Sequence, residues 1–212
     1  MIINNYKAES VIVLDFETTG LSPYQGDRAI EIGAVKIENG VITDSFQELM
    51  NPGVRVNGFI EDYTGISNSM LKNTSSCEIV MDKFYRFISN SNLVAHNASF
   101  DSKFLEAEFE RINRPMNEEF ACSMLIARRM YQDAPNHKLG TLVSYKQLPN
   151  DGTFHRALAD SQMTAHLWLA MIDDIKIRHS LKSVPFDLMQ KLSRTPKHAV
   201  SKFLSAYSSS PR

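Results

Sequence analysis

The apolar run Ser10-Val-Ile-Val-Leu-Asp-Phe16 is followed by Glu17 and then by Thr18-Thr19-Gly20. Because the run is short and rich in β-branched residues, it predicts a buried strand, which the Thr-Thr-Gly sequence ends. Asp15 and Glu17 are two residues apart, so their side chains leave the strand on the same face. Two like charges repel each other and need a cation or a raised pKa. Since Mg²⁺ binds carboxylate oxygens, the pair predicts a metal site, with a polar strand end as the alternative.

Further elements are predicted on the C-terminal side of this strand. A hairpin turn, Glu38-Asn39-Gly40, joins two more strands, and the three together predict an antiparallel meander. Helices and strands then alternate, which predicts an α/β fold with a mixed sheet. The strands are predicted at residues 29–37, 41–49, 93–95 and around 120–124, and the helices at residues 77–88, 99–112, a stretch ending at 130, 139–145, 157–175 and two short segments separated by Pro196.

A second acidic position follows the strand predicted at residues 93–95. The stretch Ala95-His96-Asn97-Ala98-Ser99-Phe100-Asp101 leads from this strand into a helix, with Asn97 or Ser99 as the N-cap. Asp101 lies in the first helical turn. It either joins the candidate metal site or only complements the helix dipole. His96 is interpreted as a structural histidine.

The third candidate motif is His155-Arg-Ala-Leu-Ala-Asp160. Five helical residues turn about 500°, so His155 and Asp160 would point about 140° apart on one regular helix. We therefore place His155 in the loop after Gly152 and Asp160 inside the helix, where the imidazole can lie over the carboxylate. A loop histidine beside an exposed aspartate is the alternative.

The three motifs together bring four carboxylates and one histidine to the ends of elements that a sheet can bring together. This is the inventory of a two-metal hydrolase, in which two cations about 3.5–4 Å apart stabilise the attacking and leaving oxygens of an in-line displacement. A histidine is suited to removing a proton from the attacking water at neutral pH. The candidate residues are Asp15, Glu17, Asp101, Asp160 and His155.

The charges of the chain are distributed unevenly. The 212 residues include 23 Lys and Arg against 24 Asp and Glu, a net charge of −1. Residues 176–212 hold eight basic residues and one acidic residue, or +7, which leaves 15 basic and 23 acidic residues, or −8, in the other 175. An acidic body with a basic tail indicates a polyanionic partner. Four of the acidic charges belong to the candidate metal site.

Composition also excludes several classes of protein. Cys77 and Cys122 are too few for a disulfide framework or a Cys-type zinc site, so we expect two core residues in a reducing, cytoplasmic setting. No apolar run approaches about 20 residues, and residues 1–10 lack the pattern of a secretory signal. No membrane partner is therefore expected.

In order and separation, the three motifs resemble those of the DEDD exonuclease superfamily, specifically its histidine-containing DnaQ-like (DEDDh) branch. The resemblance extends over residues 10–175. Each short motif is weak alone, and the complete set in this order is specific. Two further stretches resemble secondary motifs of the family, namely Arg28-Ala-Ile-Glu-Ile-Gly-Ala-Val35 and Tyr63-Thr-Gly-Ile66.

The resemblance implies an RNase H-like fold: a mixed five-stranded sheet, with three antiparallel strands first, flanked by helices. It also implies a 3′–5′ exonuclease that releases nucleoside 5′-monophosphates with two Mg²⁺ or Mn²⁺ ions. Asp15, Glu17 and Asp160 would hold the metal at which the nucleophilic water forms. Asp15 would bridge to the second metal, which Asp101 would support. His155, replaced by a tyrosine in the other branch, would be the general base.

Four substrate contacts are also carried over from the family. Thr18 would meet the terminal 3′-hydroxyl group, and Leu21 would wedge against the terminal bases. Asn97 and Phe100 would contact the final nucleotides. Stacking of bases on apolar groups is sequence-tolerant and contributes about 1–3 kcal/mol per base. Core packing is the alternative for Leu21 and Phe100.

The resemblance leaves the type of nucleic acid open. We expect a DNA exonuclease of the proofreading or repair type, with an RNA trimmer like ribonuclease T or oligoribonuclease as the alternative and a non-catalytic binding module as a third. The expected partner is the 3′ end of single-stranded DNA or RNA, together with a separate polymerase chain or a second copy. Residues 1–175 are predicted to form the exonuclease domain, and residues 176–212 a basic helical extension.

Overall fold

The computed structural model describes residues 7–88, 90–150, 152 and 155–208. Five strands form one sheet in the order β3-β2-β1-β4-β5. The first three pair antiparallel, whereas β4 pairs parallel with β1 and β5 parallel with β4. This topology confirms the predicted α/β fold with a mixed five-stranded sheet. The strands are β1 (Val11–Thr18), β2 (Ala29–Glu38), β3 (Val41–Leu49), β4 (Leu93–Ala95) and β5 (Phe120–Cys122).

Helices cover both faces of the sheet. The predicted helices are confirmed to within a few residues, except that α7 continues beyond residue 175 to His179 and ends at Ser180 in a left-handed conformation. Among the residues described, no helix is both long and apolar enough to cross a membrane. The helices are α1 (Gly58–Thr64), α2 (Asn68–Leu71), α3 (Cys77–Ile88), α4 (Ala98–Arg111), α5 (Ser123–Met130), α6 (Leu139–Tyr145), α7 (Ala157–His179), α8 (Phe186–Arg194) and α9 (Val200–Ser208).

Two short helices, α1 and α2, were not predicted. α1 is only seven residues long and leaves Phe59 and Tyr63 exposed, so it lacks the apolar periodicity of a core helix. Its ends are defined by capping instead. The Asn57 side chain accepts a hydrogen bond from the Ile60 N–H at 3.0 Å, and Gly65 ends the helix with φ +70°.

The alternation of side chains along β1 directs the two carboxylates to one side of the sheet. Val11 and Val13 pack in the core on the α7 side, whereas Ile12 and Leu14 pack in the core on the side of α3 and α4. The period of two continues past these residues, so Asp15 and Glu17 face α7. The sheet therefore presents both carboxylates to the helix that carries Asp160.

The basic segment packs against the body of the protein. Apolar side chains of α8 and α9 are buried in the same core as Trp168, and the expected boundary after residue 175 lies within α7. The Ala8 N–H donates a hydrogen bond to the Val184 carbonyl at 2.8 Å. Residues 1–6 and 209–212 lie outside the described residues, and the division of the chain into residues 1–175 and 176–212 remains a prediction. The buried side chains of the segment include Val184, Phe186, Leu188, Met189, Leu192, Val200 and Leu204.

The two cysteines are free. Cys77 is buried, and its Sγ lies 3.3 Å from the Ala29 carbonyl oxygen. Cys122 is only half-buried at the end of β5. The expectation of a core position is therefore confirmed for Cys77 and only in part for Cys122.

The close approach of β2 to α7 at Gly33 makes Gly33→Ala a test of this packing. A Cβ at this position would lie 2.1 Å from the backbone nitrogen of Leu158 and 2.2 Å from the carbonyl carbon of Ala157. We expect a loss of unfolding free energy of about 1–3 kcal/mol or more, because the helix backbone must move. Urea unfolding measures the loss, and Gly58→Ala, whose Cβ would meet nothing within 4 Å, is the control. Equal stability of the two variants would contradict this packing.

Candidate active site

Three acidic side chains from two elements meet above the end of β1. The carboxylates of Asp15, Glu17 and Asp160 each offer an oxygen, and these oxygens all lie within 4.8 Å of one another. Asp15 and Glu17 come from β1, and Asp160 comes from the first turn of α7. Three carboxylates at this separation can together hold a hard divalent cation.

Asp101 approaches the same region from the other face of the sheet. It lies in the first turn of α4 and is only 2% exposed. The backbone N–H groups of Asp101 itself and of Phe16 lie near its carboxylate and partly offset the rise that burial causes in its pKa. Its Oδ1 atom nevertheless has no hydrogen-bond partner among the residues described. A buried carboxylate oxygen without a partner is costly, which favours a ligand that is added to the site.

The electrostatics of the site disfavour four ionised carboxylates in the absence of a cation. Burial, and then the charges of Asp101 and Asp160, raise the pKa of Asp15 well above its usual range. Burial and the neighbouring carboxylates raise the pKa of Glu17 to about 8, against the opposing effect of Arg156. Burial likewise raises the pKa of Asp101 to about 7 and that of Asp160 above its ordinary value. Bound cations would reverse these shifts.

His155 lies immediately before α7, and Asp160 lies within that helix, as predicted. The imidazole is exposed at the site, and the backbone N–H of the next residue, Arg156, donates a hydrogen bond to Asp160 Oδ2 at 3.3 Å. His155 has φ +57°, a left-handed conformation that turns the chain at the start of the helix. Its ring packs on Tyr63, with 4.1 Å between the ring centroids.

Glu31, a buried side chain of β2, anchors the start of α7. The Ala157 N–H donates a hydrogen bond to its carboxylate at 3.1 Å, and the Arg156 guanidinium donates two, at 2.9 and 3.1 Å. Gln47 of β3 donates a fourth at 2.9 Å. These bonds hold the loop of His155 and the first turn of α7 against the sheet. No role was predicted for Glu31, although an acidic residue inside an apolar strand indicates a buried partner.

A cleft of about 440 Å³ opens above the carboxylates. Leu21, Phe59 and Tyr63 on its wall are 80%, 73% and 52% exposed, so core packing does not account for Leu21. The Phe59 and Tyr63 rings are stacked, with centroids 6.0 Å apart and planes 10° apart, and the His155 ring packs on Tyr63 with its plane tilted by 40°. Phe59 was not predicted to line the site, because a single aromatic residue in a short helix has no recognisable spacing.

The remaining predicted contacts lie at different distances from this cleft. Thr18 lines it, and its hydroxyl donates to the Gly20 carbonyl at 2.7 Å. Phe100 both lines the cleft and packs on Phe104, with centroids 4.9 Å apart. Asn97 is exposed at the N-cap of α4 with φ +78°, its side chain makes no capping hydrogen bond, and it does not line this cleft. Their contacts with substrate remain predictions.

His96 has the contacts of a structural histidine. Its Nδ1 lies 2.9 Å from the Ser123 hydroxyl, and its Nε2 lies 3.0 Å from the His137 carbonyl oxygen. Burial lowers the pKa of His96 to about 4, so the ring is neutral at physiological pH. Although His96 also lines the cleft, both of its nitrogens are occupied by the protein.

The raised pKa values predict that the metal-free protein becomes less stable as the pH rises from 6.5 to 8. In this range Glu17 and Asp101 are ionised in the unfolded chain. In the folded chain their pKa values are about 8 and 7, so both carboxyl groups still hold protons over part of the range. The folded state therefore binds more protons, and its unfolding free energy falls by about 1 kcal/mol per pH unit for each protonated group. Burial lowers the pKa values of His96 and His166, which gives an opposing effect that ends within about one pH unit above the ordinary histidine pKa of about 6.5.

Urea unfolding in EDTA at several pH values measures this slope. Glu17→Gln should make the slope shallower, because it removes one of the two protons. A wild-type stability that rises from pH 6.5 to 8, or an unchanged slope in the variant, would contradict the proposed protonation.

Clustered carboxylates at the end of the central strand, an exposed imidazole and an open cleft are the features expected of a metal-dependent hydrolase. A family model described as "Exonuclease" (RNase_T) matches residues 12–168. The chain therefore belongs to the exonuclease family, and the predicted exonuclease class is confirmed.

Individual relatives agree with this assignment. A DNA polymerase III PolC-type protein of Caldanaerobacter subterraneus subsp. tengcongensis is 38% identical over 168 residues, which cover 78% of this chain and 12% of that protein. The 3′-5′ exonuclease DinG of Bacillus subtilis is 33% identical over 191 residues, which cover 90% of this chain and 20% of that protein. The chain thus spans a fifth or less of the length of these two relatives.

Solved structures share the fold. Exonuclease X in complex with 5′ overhanging duplex DNA has a TM-score of 0.66 at 24% identity. The match covers 86% of this chain and 99% of the Exonuclease X chain. The nuclease domain of 3′hExo, a DEDDh family member bound to rAMP, has a TM-score of 0.67 at 20% identity, covering 80% and 94%. The predicted RNase H-like fold is confirmed.

Proposed function

We propose that this chain removes nucleotides one at a time from the 3′ end of DNA and releases nucleoside 5′-monophosphates. The observation that carries the proposal is the meeting of the Asp15, Glu17 and Asp160 carboxylates within 4.8 Å at the floor of an open cleft. The proposal takes DNA as the substrate because the PolC-type relative is named as a DNA polymerase and Exonuclease X was solved with duplex DNA.

The donor set of the site fits two divalent cations. Asp15, Glu17 and Asp160 would hold one cation, and Asp15 and Asp101 would hold the other. The Asp101 Oδ1 atom, which is buried without a partner among the described residues, supports this assignment. All of these donors are carboxylate oxygens, the ligands that Mg²⁺ and Mn²⁺ prefer. When bound, such cations stabilise the charges that develop on the attacking and leaving oxygens.

His155 is proposed to take the proton from the attacking water. Its imidazole is exposed to the cleft, the Tyr63 ring packs against it, and the backbone N–H of the next residue, Arg156, is hydrogen-bonded to Asp160. The Asp160 carboxylate beside it stabilises the imidazolium that forms when the proton arrives. Glu31 keeps this loop in position through Arg156 and Ala157.

The cleft is proposed to select chain ends by its shape. Thr18 and the turn that it holds through Gly20 would receive the terminal 3′-hydroxyl group. The exposed Leu21, Phe59 and Tyr63 side chains would contact the last bases, because apolar and aromatic groups stack with any base. Contacts of Asn97 and Phe100 with the final nucleotides belong to the same proposal.

A polymerase is the proposed protein partner. The relative that supports it is a PolC-type polymerase, in which the matching segment is 12% of the chain. The same cleft would then receive the mispaired end of a primer. Removal of a mispaired end needs a frayed, single-stranded terminus, which suits a cleft with stacking side chains along one wall.

Three matched substrates labelled at the 5′ end test the proposal. Single-stranded DNA, duplex DNA with a mismatched 3′ end and short RNA are each incubated with the protein in Mg²⁺, in Mn²⁺ and in EDTA. Stepwise shortening of DNA with release of nucleoside 5′-monophosphates, abolished by EDTA, is expected. Faster shortening of RNA would replace the proposal by an RNA-trimming activity, and binding without shortening would indicate a non-catalytic module.

A further inference from the structure

A second cavity lies at the other end of α7, between that helix, α5 and the segment that leads into α9. Its volume is about 350 Å³. Arg178, in the last turn of α7, is one of its lining residues, whereas Asp160 is in the first turn. Asp160 and Arg178 are 18 positions apart, which corresponds to about 27 Å along the helix. The cavity is therefore separate from the carboxylate cluster.

Cationic side chains from three different elements line this cavity. Arg129 comes from α5, and Arg178 comes from α7. Lys197 comes from the short 3₁₀ helix Lys197–Ala199, which precedes α9. The imidazoles of His179 and His198 lie among them. Basic residues at the end of α7 alone would only complement the helix dipole. Arg129 lies in the last turn of α5, and Lys197 lies in a 3₁₀ turn, so no single helix dipole accounts for the cluster.

The acidic residue of the lining is already neutralised. The Asp174 carboxylate accepts a hydrogen bond from the Tyr131 hydroxyl at 2.7 Å and from the Lys146 ammonium at 2.9 Å. Asp174 is the one acidic side chain among the described residues that line the cavity. The charge at the cavity is therefore positive by at least two units.

The cations themselves retain donors for a ligand. Arg129 donates from Nε to the Thr195 carbonyl and from Nη1 to the Leu125 carbonyl, both at 3.1 Å, and its Nη2 group has no hydrogen bond to the residues described. Neither Arg178 nor Lys197 forms an ion pair with any residue that the structure describes. A guanidinium group can donate two parallel hydrogen bonds to two oxygens of one phosphate group.

The floor of the cavity is apolar. Ile175, Val200 and Leu204 are buried there, and Met130 is half-buried beside them. A cationic rim over an apolar floor suits a ligand with one anionic end and one organic end. The volume is near the lower limit of the roughly 300–1,000 Å³ that small-molecule sites occupy, so the site suits a small ligand.

We infer that this cavity binds a phosphate monoester of nucleotide size. The monoester carries about −1.5 to −2 charges at neutral pH and matches the surplus of cations, whereas each phosphodiester of a nucleic-acid strand carries one. The phosphate lies against Arg129, Arg178 and Lys197, and the organic part lies on the apolar floor. This inference does not depend on the catalytic proposal.

Titration of the full-length chain with dAMP in EDTA tests the inference, since EDTA keeps cations out of the carboxylate cluster. The imidazole proton signals of His179 and His198 in NMR spectra report on the cavity. A saturable shift is expected with dAMP and none with deoxyadenosine. Inorganic phosphate and a dinucleotide without a terminal phosphate should each bind at least five-fold more weakly than dAMP. The loss of one charge-assisted hydrogen bond should weaken dAMP binding about ten-fold in Lys197→Gln and in Arg178→Gln.

Lys202→Gln is the matched control, because Lys202 is an exposed cation of α9 that does not line the cavity. It should bind dAMP like the wild type. The absence of a saturable shift, or wild-type affinity in both Lys197→Gln and Arg178→Gln, would overturn the inference. Equal affinity for dAMP and inorganic phosphate, or for dAMP and the dinucleotide, would also overturn the assignment to a monoester of nucleotide size.

Discussion

Asp15→Asn is expected to abolish the Mg²⁺-dependent shortening of DNA while the protein stays folded. Asp15 belongs to the group of three carboxylates, its pKa also responds to the charge of Asp101, and it is assigned to both cations, so its loss affects both halves of the site. We expect a loss at least as large as the roughly 10²–10³-fold that removal of one electrostatic stabiliser costs. The initial rate of nucleotide release at saturating Mg²⁺ measures it.

Stability distinguishes this loss from unfolding. The pKa of Asp15 is raised by burial and by the charges of Asp101 and Asp160, so a neutral amide relieves repulsion in the metal-free protein. Asp15→Asn should therefore unfold in EDTA at the same urea concentration as the wild type or a higher one. Asp173→Asn, at an exposed position of α7, is the control and should keep full activity. Wild-type activity in Asp15→Asn would remove Asp15 from the metal site.

His155→Asn is expected to lower the rate of hydrolysis by about 10²–10⁴-fold, the usual contribution of a general base. Asparagine is chosen because the backbone at this position has φ +57°, a conformation that asparagine tolerates better than alanine does. The side chain is exposed, so little core packing is lost. Single-turnover rates measured at saturating enzyme separate the chemical step from substrate binding.

Binding provides the second readout for this variant. Affinity for 3′-ended DNA, measured by fluorescence anisotropy in Ca²⁺, should change little, because the proposed contacts of Leu21, Phe59 and Tyr63 remain. His166→Asn, on a later turn of α7, is the control and should keep the wild-type rate. If His155→Asn hydrolysed DNA at the wild-type rate, another group would have to accept the proton.

Local patterns in the sequence predicted most of the secondary structure. The β-branched run of β1, the Asn-Gly hairpin between β2 and β3 and the long uninterrupted helix α7 each follow from short-range rules. The alternation along β1 also placed Asp15 and Glu17 on one face. The short helices α1 and α2 were not predicted, because capping residues, and not apolar periodicity, define them.

From the sequence alone, this chain could be assigned its mixed sheet, its acidic motifs and, through their order, its exonuclease class. Only the tertiary structure shows that the residues of these motifs lie close together. Asp101 approaches the cluster from α4 without joining the group of three carboxylates, and Glu31 holds the start of α7 through hydrogen bonds to residues more than a hundred positions away. The stack of His155 on Tyr63 and the cationic cavity beside α9 likewise join distant segments. Sequence periodicity reports which side of an element is buried, but only the packing of the elements determines which side chains meet.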